Sequence, residues 1–251
     1  MTKRNVISIL AACALFSSLL SAQEKKKRAP RSDGPQPRVV SPGGPSQAPS
    51  DASILFDGKN MSGWRTRDGG PAKCTPENGE MVCKTGSGDI YSVEKFKDAQ
   101  IHLEFAVPHM PAEKGQRRGN SGVFLHSCYE VQILDSFENP TYADGSLGGL
   151  YGVSAPMVNA ARKPGEWQSY DMIFRAPRCD TGGNLTEPGR LTALLNGVLV
   201  QDHVAITKKG SGCRHDNICD AGPLRLQDHS GFPGAPVTVM KFRNVWIRKL
   251  E

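Results

Sequence analysis

The chain has 251 residues, which is room for one large domain or two small ones, and its 38% hydrophobic and 22% charged residues exclude a multi-span membrane protein. Its 27 glycines and 18 prolines favour many short strands over long helices, and exclude a coiled coil. The net charge of +6 is concentrated at the front, since residues 53–251 carry 23 basic and 22 acidic side chains. A nucleic-acid-binding protein would carry its excess positive charge on the folded domain, so the charge distribution argues against a nucleic-acid partner.

The first 22 residues have the parts of a secretory signal peptide. Lys3 and Arg4 precede an apolar stretch over 6–20, and Ser21-Ala22 offers small residues for cleavage. The stretch is shorter than the roughly 18–20 residues that span a bilayer, so we expect no transmembrane span after cleavage and a periplasmic or secreted protein. The alternative is a lipoprotein, because Leu10-Ala11-Ala12-Cys13 resembles a lipoprotein box in which Cys13 would carry the lipid.

Residues 23–52 are predicted to form a disordered linker. The segment contains the basic run 25–28, six prolines and almost no large apolar side chain, so it cannot bury enough surface to offset the entropy of ordering. Its basic run suits contact with an anionic envelope surface. The alternative is a solvated spacer.

From residue 53 onward the apolar residues alternate with period two, which predicts strands. In the segment 100–107, Ile101, Leu103 and Phe105 share one face, and Asn196-Gly197 between two apolar runs is a strong hairpin signal. Further strands are predicted at 80–84, 89–93, 121–126, 129–133, 167–175, 190–195, 198–200, 223–228 and 237–249. Without a helical apolar period, this pattern predicts one all-β domain over 53–251, a jelly-roll sandwich of two antiparallel sheets.

Six cysteines follow the signal peptide, and an even number in an exported chain favours disulfides. Cys74 and Cys83 flank a turn-like stretch, which makes a cross-hairpin bridge plausible. Cys213 and Cys219 close a five-residue loop, although Cys179 could pair with either of them.

Polar residues line one face of the predicted strands. Glu130 and Gln132 alternate with apolar residues, and a β-bulge would bring Asp135 to the same face. Arg225, Gln227 and His229 form a second polar row, and Asn120 and His126 bracket a third strand. These rows would make a groove suited to a sugar; the alternative is that they only solvate the outer face of a sheet.

Six ordered blocks stand out over about residues 53–250: Leu55-Phe56-Asp57-Gly58-Lys59-Asn60 with Gly63-Trp64, the segments 119–125 and 129–136, Gly165-Glu166-Trp167-Gln168, Asn196-Gly197-Val198, the segment 222–229, and the segment 242–248. Together they resemble the 3-keto-disaccharide hydrolase domain family. The resemblance implies a concanavalin A-like jelly roll. The chain departs from the family pattern at two places, and both bear on the identity of the substrate more than on the fold. His126 stands where members often carry Arg, and the segment Cys213–Cys219 is an insertion.

The resemblance implies an exported hydrolase that cleaves 3-keto-disaccharides or 3-keto-glycosides, by elimination and hydration. Glu130, Asp135 and His229 are then the expected catalytic residues, since acid–base chemistry needs ionisable groups. The expected substrate-binding residues are Asn120, His126, Gln132, Arg225, Gln227 and Asp228. A divalent metal ion held by Glu130 and His229 is an alternative to Arg225 or Gln227 for stabilising the enolate.

Two further interpretations remain open. The triplet Glu130, Gln132, Asp135 also resembles the E-x-D-x-x-E strand of glycoside hydrolase family 16, although Asp135 is one methylene shorter than the Glu of that pattern. The rival class is a lectin-like module that binds glycans without turnover.

Overall fold

Two antiparallel sheets pack face to face in the computed structural model, which describes residues 34–44, 47–210, 212–231 and 233–250. The predicted signal peptide, Cys13 and the basic run 25–28 lie outside these residues. The larger sheet comprises β1 (Ser53–Phe56), β3 (Thr75–Glu77), β4 (Glu80–Lys84), β6 (Ala99–Ala106), β9 (Gln168–Arg175), β12 (Gly189–Leu195), β13 (Val198–Ile206) and β15 (Val239–Lys249). Their order is β13-β12-β9-β6-β15-β4-β3, with β1 paired to β15.

The smaller sheet has five strands and carries most of the predicted site residues. It comprises β2 (Trp64–Arg65), β5 (Ile90–Phe96), β7 (Ser121–Leu125), β8 (Tyr129–Ile133) and β14 (Gly222–Leu226), in the order β2-β5-β14-β7-β8. A separate two-stranded ribbon is formed by β10 (Arg178–Cys179) and β11 (Leu185–Glu187). The helical content of the described residues is two single 3₁₀ turns, at Gly115–Arg117 and Ala143–Gly145. The all-β jelly-roll fold expected from the sequence is confirmed.

The core lies between the sheets and follows the period-two alternation of the strands. Ile101, Leu103 and Phe105 of β6 are fully buried, as expected. In the smaller sheet, Val131 and Ile133 of β8 belong to the same core cluster. Because successive side chains of a strand point to opposite faces, the polar residues between them lie on the outer face of this sheet.

Three disulfides join the six cysteines that the structure describes. Cys74–Cys83 is confirmed, and Cys179–Cys219 is one of the pairings left open by the sequence. The predicted disulfide between Cys213 and Cys219 is wrong, because Cys213 bonds to Cys128, which lies 85 residues earlier in the chain. The loop 207–221 is therefore fastened at two points, to the β7–β8 turn and to the β10–β11 ribbon. Disulfides are typical of proteins from oxidising compartments.

Ordered contacts begin before residue 53. A compact unit extends from Val40 to Glu251. Within it, the backbone N–H of Ser50 donates to the carbonyl of Ser41, and Arg248 Nε lies 2.8 Å from Asp51 Oδ2. Among the described residues, no helix has the length and apolar character needed to cross a bilayer.

Candidate functional site

One row of side chains crosses the outer face of the five-stranded sheet. Glu130 of β8 stands opposite Phe124 of β7, Phe124 stands opposite Arg225 of β14, and Arg225 stands opposite Tyr91 of β5. Phe124 is only 1% exposed yet lies outside the core cluster. Its burial therefore comes from groups that cover the outer face.

The carboxyl group of Glu130 is partly buried at the end of this row. Burial raises the pKa of Glu130 to about 7; the positive charge of Arg225 opposes this rise, and the negative charge of Asp89 adds to it. The side chain lies over Gly122, where an added Cβ would come within 2.6 Å of Glu130 Oε1. A carboxyl with this pKa exchanges protons readily near neutral pH, which suits a general acid or base.

Arg225 places a fixed cation on the far side of Phe124 from Glu130. Its side chain is 2% exposed, its guanidinium carbon lies 3.5 Å from the centre of the Phe124 ring, and Nη1 lies 3.1 Å from Asp89 Oδ2. Its Nε and Nη2 are buried and have no hydrogen-bond partner among the residues that the structure describes, and Gly212 of the loop 207–221 lies against Nη2. Because the loop covers these donors, the guanidinium acts on the Glu130 end of the face through its fixed positive charge, which favours negative charge there.

A cluster of amides extends the site beyond Glu130. Gln132 Nε2 donates to Gln116 Oε1 at 3.0 Å, and Asn120 Nδ2 donates to the same oxygen at 3.2 Å. Within the described part of the chain, these bonds leave Gln132 Oε1 and Asn120 Oδ1 buried and without a donor. Gln227, which follows β14 and bonds to Gly122 O through its backbone N–H, also has an unpartnered Oε1. Such oxygens accept hydrogen bonds from hydroxyl groups.

His126 lies in the core, which corrects its expected position on the groove. Its ring is fully buried, 5.3 Å from the ring of Phe96 and 4.8 Å from that of Phe174. His126 and Ser127 both have positive φ, so the β7–β8 turn directs the ring inward instead of continuing the outer face of the strand. Burial lowers the pKa of His126 to about 4, which leaves the ring neutral at pH 7.

Asp135 does not join this row, because β8 ends at Ile133 and Asp135 lies beyond the end of the strand. Its backbone N–H donates to the carbonyl of Arg118, and its side chain is buried at this point instead of facing the groove. Its Oδ2 lies 2.9 Å from Arg118 Nε, and its Oδ1 accepts from the backbone N–H of Phe137. Among the described residues, none of its hydrogen bonds or ion pairs reaches Glu130. It lines a separate cavity of about 520 Å³.

The two residues after Gln227 have different surroundings. Asp228 Oδ2 accepts from the backbone N–H groups of Gly86 and Gly88, each at 2.8 Å, so this carboxylate holds the β4–β5 loop. His229 is partly buried, and burial lowers its pKa below the usual value. The structure thus brings together Glu130, Gln132 and Arg225, with Gln227 on the same face.

Sequence reasoning missed five residues of this region, which are Phe124, Asp89, Gln116, Tyr142 and Tyr151. Phe124 could have been predicted, because the alternation of side chains along β7 places it on the outer face of the sheet. The hydroxyl groups of Tyr142 and Tyr151 are 2.7 Å apart. Burial and this hydrogen bond raise the pKa of Tyr142, with a smaller contribution from the charge of Glu130. Tyr142 and Tyr151 lie in the loop after β8, and the alternation of apolar residues in strands predicts nothing about a loop.

Metal-ligating side chains do not cluster in the described ranges. No three His, Cys, Asp or Glu residues there come together in a way that would hold a metal ion. The positive charge of Arg225 acts on the Glu130 carboxyl, and a fixed cation near a carboxylate disfavours a bound metal ion.

Gly122→Ala is expected to lower activity without unfolding the protein. The new methyl group would lie 2.6 Å from Glu130 Oε1 and 2.9 Å from the Phe124 ring, so the carboxyl must move. A displacement of about 1 Å in a catalytic group costs on the order of 100-fold in rate. Gly44→Ala, where the nearest atom is the Gln47 side chain at 3.6 Å, is the matched control. Equal turnover in both variants would contradict the assignment of this face as the site.

A family model described as the 3-keto-alpha-glucoside-1,2-lyase-like domain matches residues 51–248. The chain belongs to this family. The match covers both sheets and every strand of the candidate site, so the family resemblance inferred from the sequence blocks is confirmed.

Two solved structures are similar to the chain. A crystal structure of a "putative glycosyl hydrolase" from Parabacteroides distasonis is 40% identical, with a TM-score of 0.79 over 88% of this chain and 95% of the other. A second structure with the same description and organism is 20% identical, with a TM-score of 0.59 over 80% and 94%, and shows the fold alone. No curated protein matches the sequence. The chain is a carbohydrate-active domain similar to glycosyl hydrolases.

Proposed function

We propose that the chain cleaves the glycosidic bond of 3-keto-glycosides, including 3-keto-disaccharides, by elimination and hydration. The observation that carries the proposal is the partly buried Glu130, whose pKa is raised to about 7, on the same face as the held guanidinium of Arg225. The family name supports the same substrate class.

The ketone at C3 makes the proton on C2 acidic, and ionised Glu130 removes it. The electron pair moves into an enolate, whose C3 oxygen becomes negative and is stabilised by Arg225 and by the amide of Gln227. Collapse of the enolate forms the C1–C2 double bond and breaks the bond from C1 to the glycosidic oxygen. Addition of water at C1 and of a proton at C2 then yields the free 3-keto sugar.

The leaving oxygen needs a proton, and protonated Glu130 is the best donor. Its pKa of about 7 suits both removal and return of a proton. His229 follows β14 in the same row as Arg225 and Gln227, and burial lowers its pKa, so we propose it as a hydrogen-bonding partner or base toward the added water. Asp135 is occupied by Arg118.

The test is incubation with 3-keto-trehalose and, separately, with trehalose, followed by measurement of released glucose. Release from the 3-keto sugar alone is expected, because the elimination requires the ketone. Release from both sugars would indicate ordinary hydrolysis by a carboxylate pair instead. Binding of either sugar without turnover would favour the lectin-like alternative. A parallel assay with EDTA tests whether a divalent ion takes part.

The pH dependence should follow the ionisation of Glu130. Because the base form is required for proton removal, kcat/KM is expected to rise about tenfold per pH unit below pH 7 and to level off above it. The measurement is a pH profile of kcat/KM on the 3-keto substrate from about pH 5 to pH 9, where a general base of this pKa titrates. A profile that is flat through this range would contradict the role of Glu130.

We also propose that the protein is exported after loss of residues 1–22, as the signal sequence and the three disulfides suggest. Mass spectrometry of the protein from expressing cells is expected to find Gln23 as the first residue. A lipid mass on Cys13 would replace the cleaved signal with a lipid anchor. Intact Met1 would contradict export by either route.

A further inference from the structure

A second polar and aromatic surface lies on the outer face of the eight-stranded sheet, the face opposite to the Glu130 site. It surrounds a cavity of about 530 Å³, which is within the usual range of small-ligand sites. We call this cavity the back pocket. Its lining includes Ile54, Phe56, Glu104, Arg243, Asn244 and Trp246.

A bulge in β15 shapes the back pocket. Phe242 and Val245 both belong to the core, with two residues between them where a regular strand would have one or three. The pairing of β15 with β6 shifts register at this point, and Asn244 has a φ of 49°. Bulges and non-glycine residues with left-handed backbone are concentrated next to binding sites, because they re-aim side chains at a cost in stability.

The bulge brings two donors onto one buried carboxylate. Arg243 Nε and Nη2 lie 2.7 and 2.6 Å from Glu104 Oε2, and Asn244 Nδ2 lies 3.2 Å from Oε1. The guanidinium of Arg243 also lies 4.1 Å from the centre of the Trp167 ring. The polar groups that face the cavity are thus held in fixed directions before any ligand arrives.

An aromatic stack forms the adjoining wall. The rings of Trp246 and His102 are 5.2 Å apart and nearly parallel, and His102 Nδ1 lies 2.7 Å from Asp171 Oδ1. Ile54, paired with Trp246 across the sheet, is 60% exposed and adds an aliphatic surface at the rim.

The charges of the back pocket are internally balanced. Arg243 pairs with Glu104, and Asp57 pairs with Lys59 at 3.4 Å. A charged ligand would therefore meet no unpaired opposite charge among the lining residues. A neutral ligand with hydroxyl groups and an apolar ring face fits better, since the carboxylates retain acceptor capacity and Arg243 retains Nη1. Ile54, with the small accessible part of Trp246, offers apolar contact.

We propose that the back pocket is a second, non-catalytic binding site for a neutral glycosyl unit. It is independent of the reaction at Glu130, because it lies on the other sheet and shares no residue with that site. A site of this kind would hold one part of a glycan, or a second substrate molecule, while the opposite face carries out the chemistry.

The three tryptophans of the chain allow a direct test. The probe is methyl α-D-glucopyranoside, titrated into ¹⁵N-labelled protein while the three indole N–H signals are followed by NMR. Saturable shifts of the Trp246 and Trp167 signals are expected, with the Trp64 signal unchanged, since Trp64 is fully buried in the core. The same titration of the Glu130→Gln variant should give the same shifts, which separates this site from the catalytic face.

Two variants test the hydrogen bonds that Glu104 makes in the back pocket. Asn244→Gly keeps the left-handed backbone and removes only the amide, and Glu104→Gln keeps the shape and removes the ion pair with Arg243. Each is expected to weaken binding about tenfold or more, while the melting temperature confirms folding. Unchanged binding in both folded variants would overturn the proposal. So would an absence of shifts up to the solubility limit of the sugar, or stronger binding of glucuronate than of the neutral sugar.

Discussion

Glu130→Gln is expected to lower turnover of a 3-keto-glycoside by at least about 100-fold while the protein folds normally. The substitution is nearly isosteric but removes the proton-transferring group, and general acid–base catalysis contributes roughly 10²–10⁴-fold. The measurement is kcat/KM at pH 8 for the wild-type protein and the variant. Under the lectin-like alternative, the variant would instead lose glycan binding.

The same variant should be more stable than the wild type at alkaline pH. The pKa of Glu130 is raised from 4.5 to about 7 in the folded protein, so the folded state holds a proton that the unfolded state releases. Its contribution to stability is present in full below about pH 4.5 and is lost as the pH rises to about 7. The loss corresponds to on the order of 3 kcal/mol, which a neutral Gln avoids.

Urea unfolding at pH 4.5 and pH 8 checks this expectation. The two proteins should have similar unfolding free energies at the lower pH and diverge at the higher one. Glu77→Gln, an exposed position on β3, is the matched control and should change neither activity nor stability by more than about 0.5 kcal/mol. A Glu130→Gln variant that is less stable at pH 8 would contradict the buried, proton-binding state of Glu130.

Removal of the Cys128–Cys213 disulfide is expected to cost more stability than removal of Cys74–Cys83. The first bridge closes a loop of 85 residues and the second a loop of 9. In the chain-entropy model these correspond to roughly 4.5 and 2.5 kcal/mol, so the paired Ala variants should differ by about 2 kcal/mol in unfolding free energy.

The two disulfide variants should also differ in activity. Cys213 follows Gly212, which lies against Arg225 Nη2, whereas Cys74 and Cys83 join β4 to the loop before β3 in the other sheet. Release of Cys213 should therefore free the segment that covers Arg225 and lower kcat/KM about tenfold or more. The Cys74→Ala/Cys83→Ala protein should retain its activity at a temperature where both variants are folded. Equal activity in the two variants would contradict a role of the loop 207–221 in positioning Arg225.

The strands and their faces were predictable because the sequence alternates strictly. Ile101, Leu103 and Phe105 on β6, and Val131 and Ile133 on β8, are core residues both in the pattern and in the structure. Alternation is a local property, since it depends only on the direction of successive side chains. For the same reason, the outward positions of Glu130, Gln132 and Arg225 could be derived from the sequence.

Pairings between distant segments could not be derived in this way. Cys128 and Cys213 are close only because β7, β8 and the loop 207–221 meet in the folded sheet, and Gln116 joins Asn120 to Gln132 from a 3₁₀ turn outside the strands. Such contacts depend on how loops pack, which carries no period in the sequence.

The sequence by itself therefore determined the all-β sandwich, the family and the face on which Glu130 and Arg225 lie. The tertiary structure decided which polar residues share that face. A left-handed turn directs His126 into the core, and Asp135, which lies beyond the end of β8, pairs with Arg118. The physical reason is that a single residue's backbone angle, or one inserted residue, reverses the direction of every side chain after it.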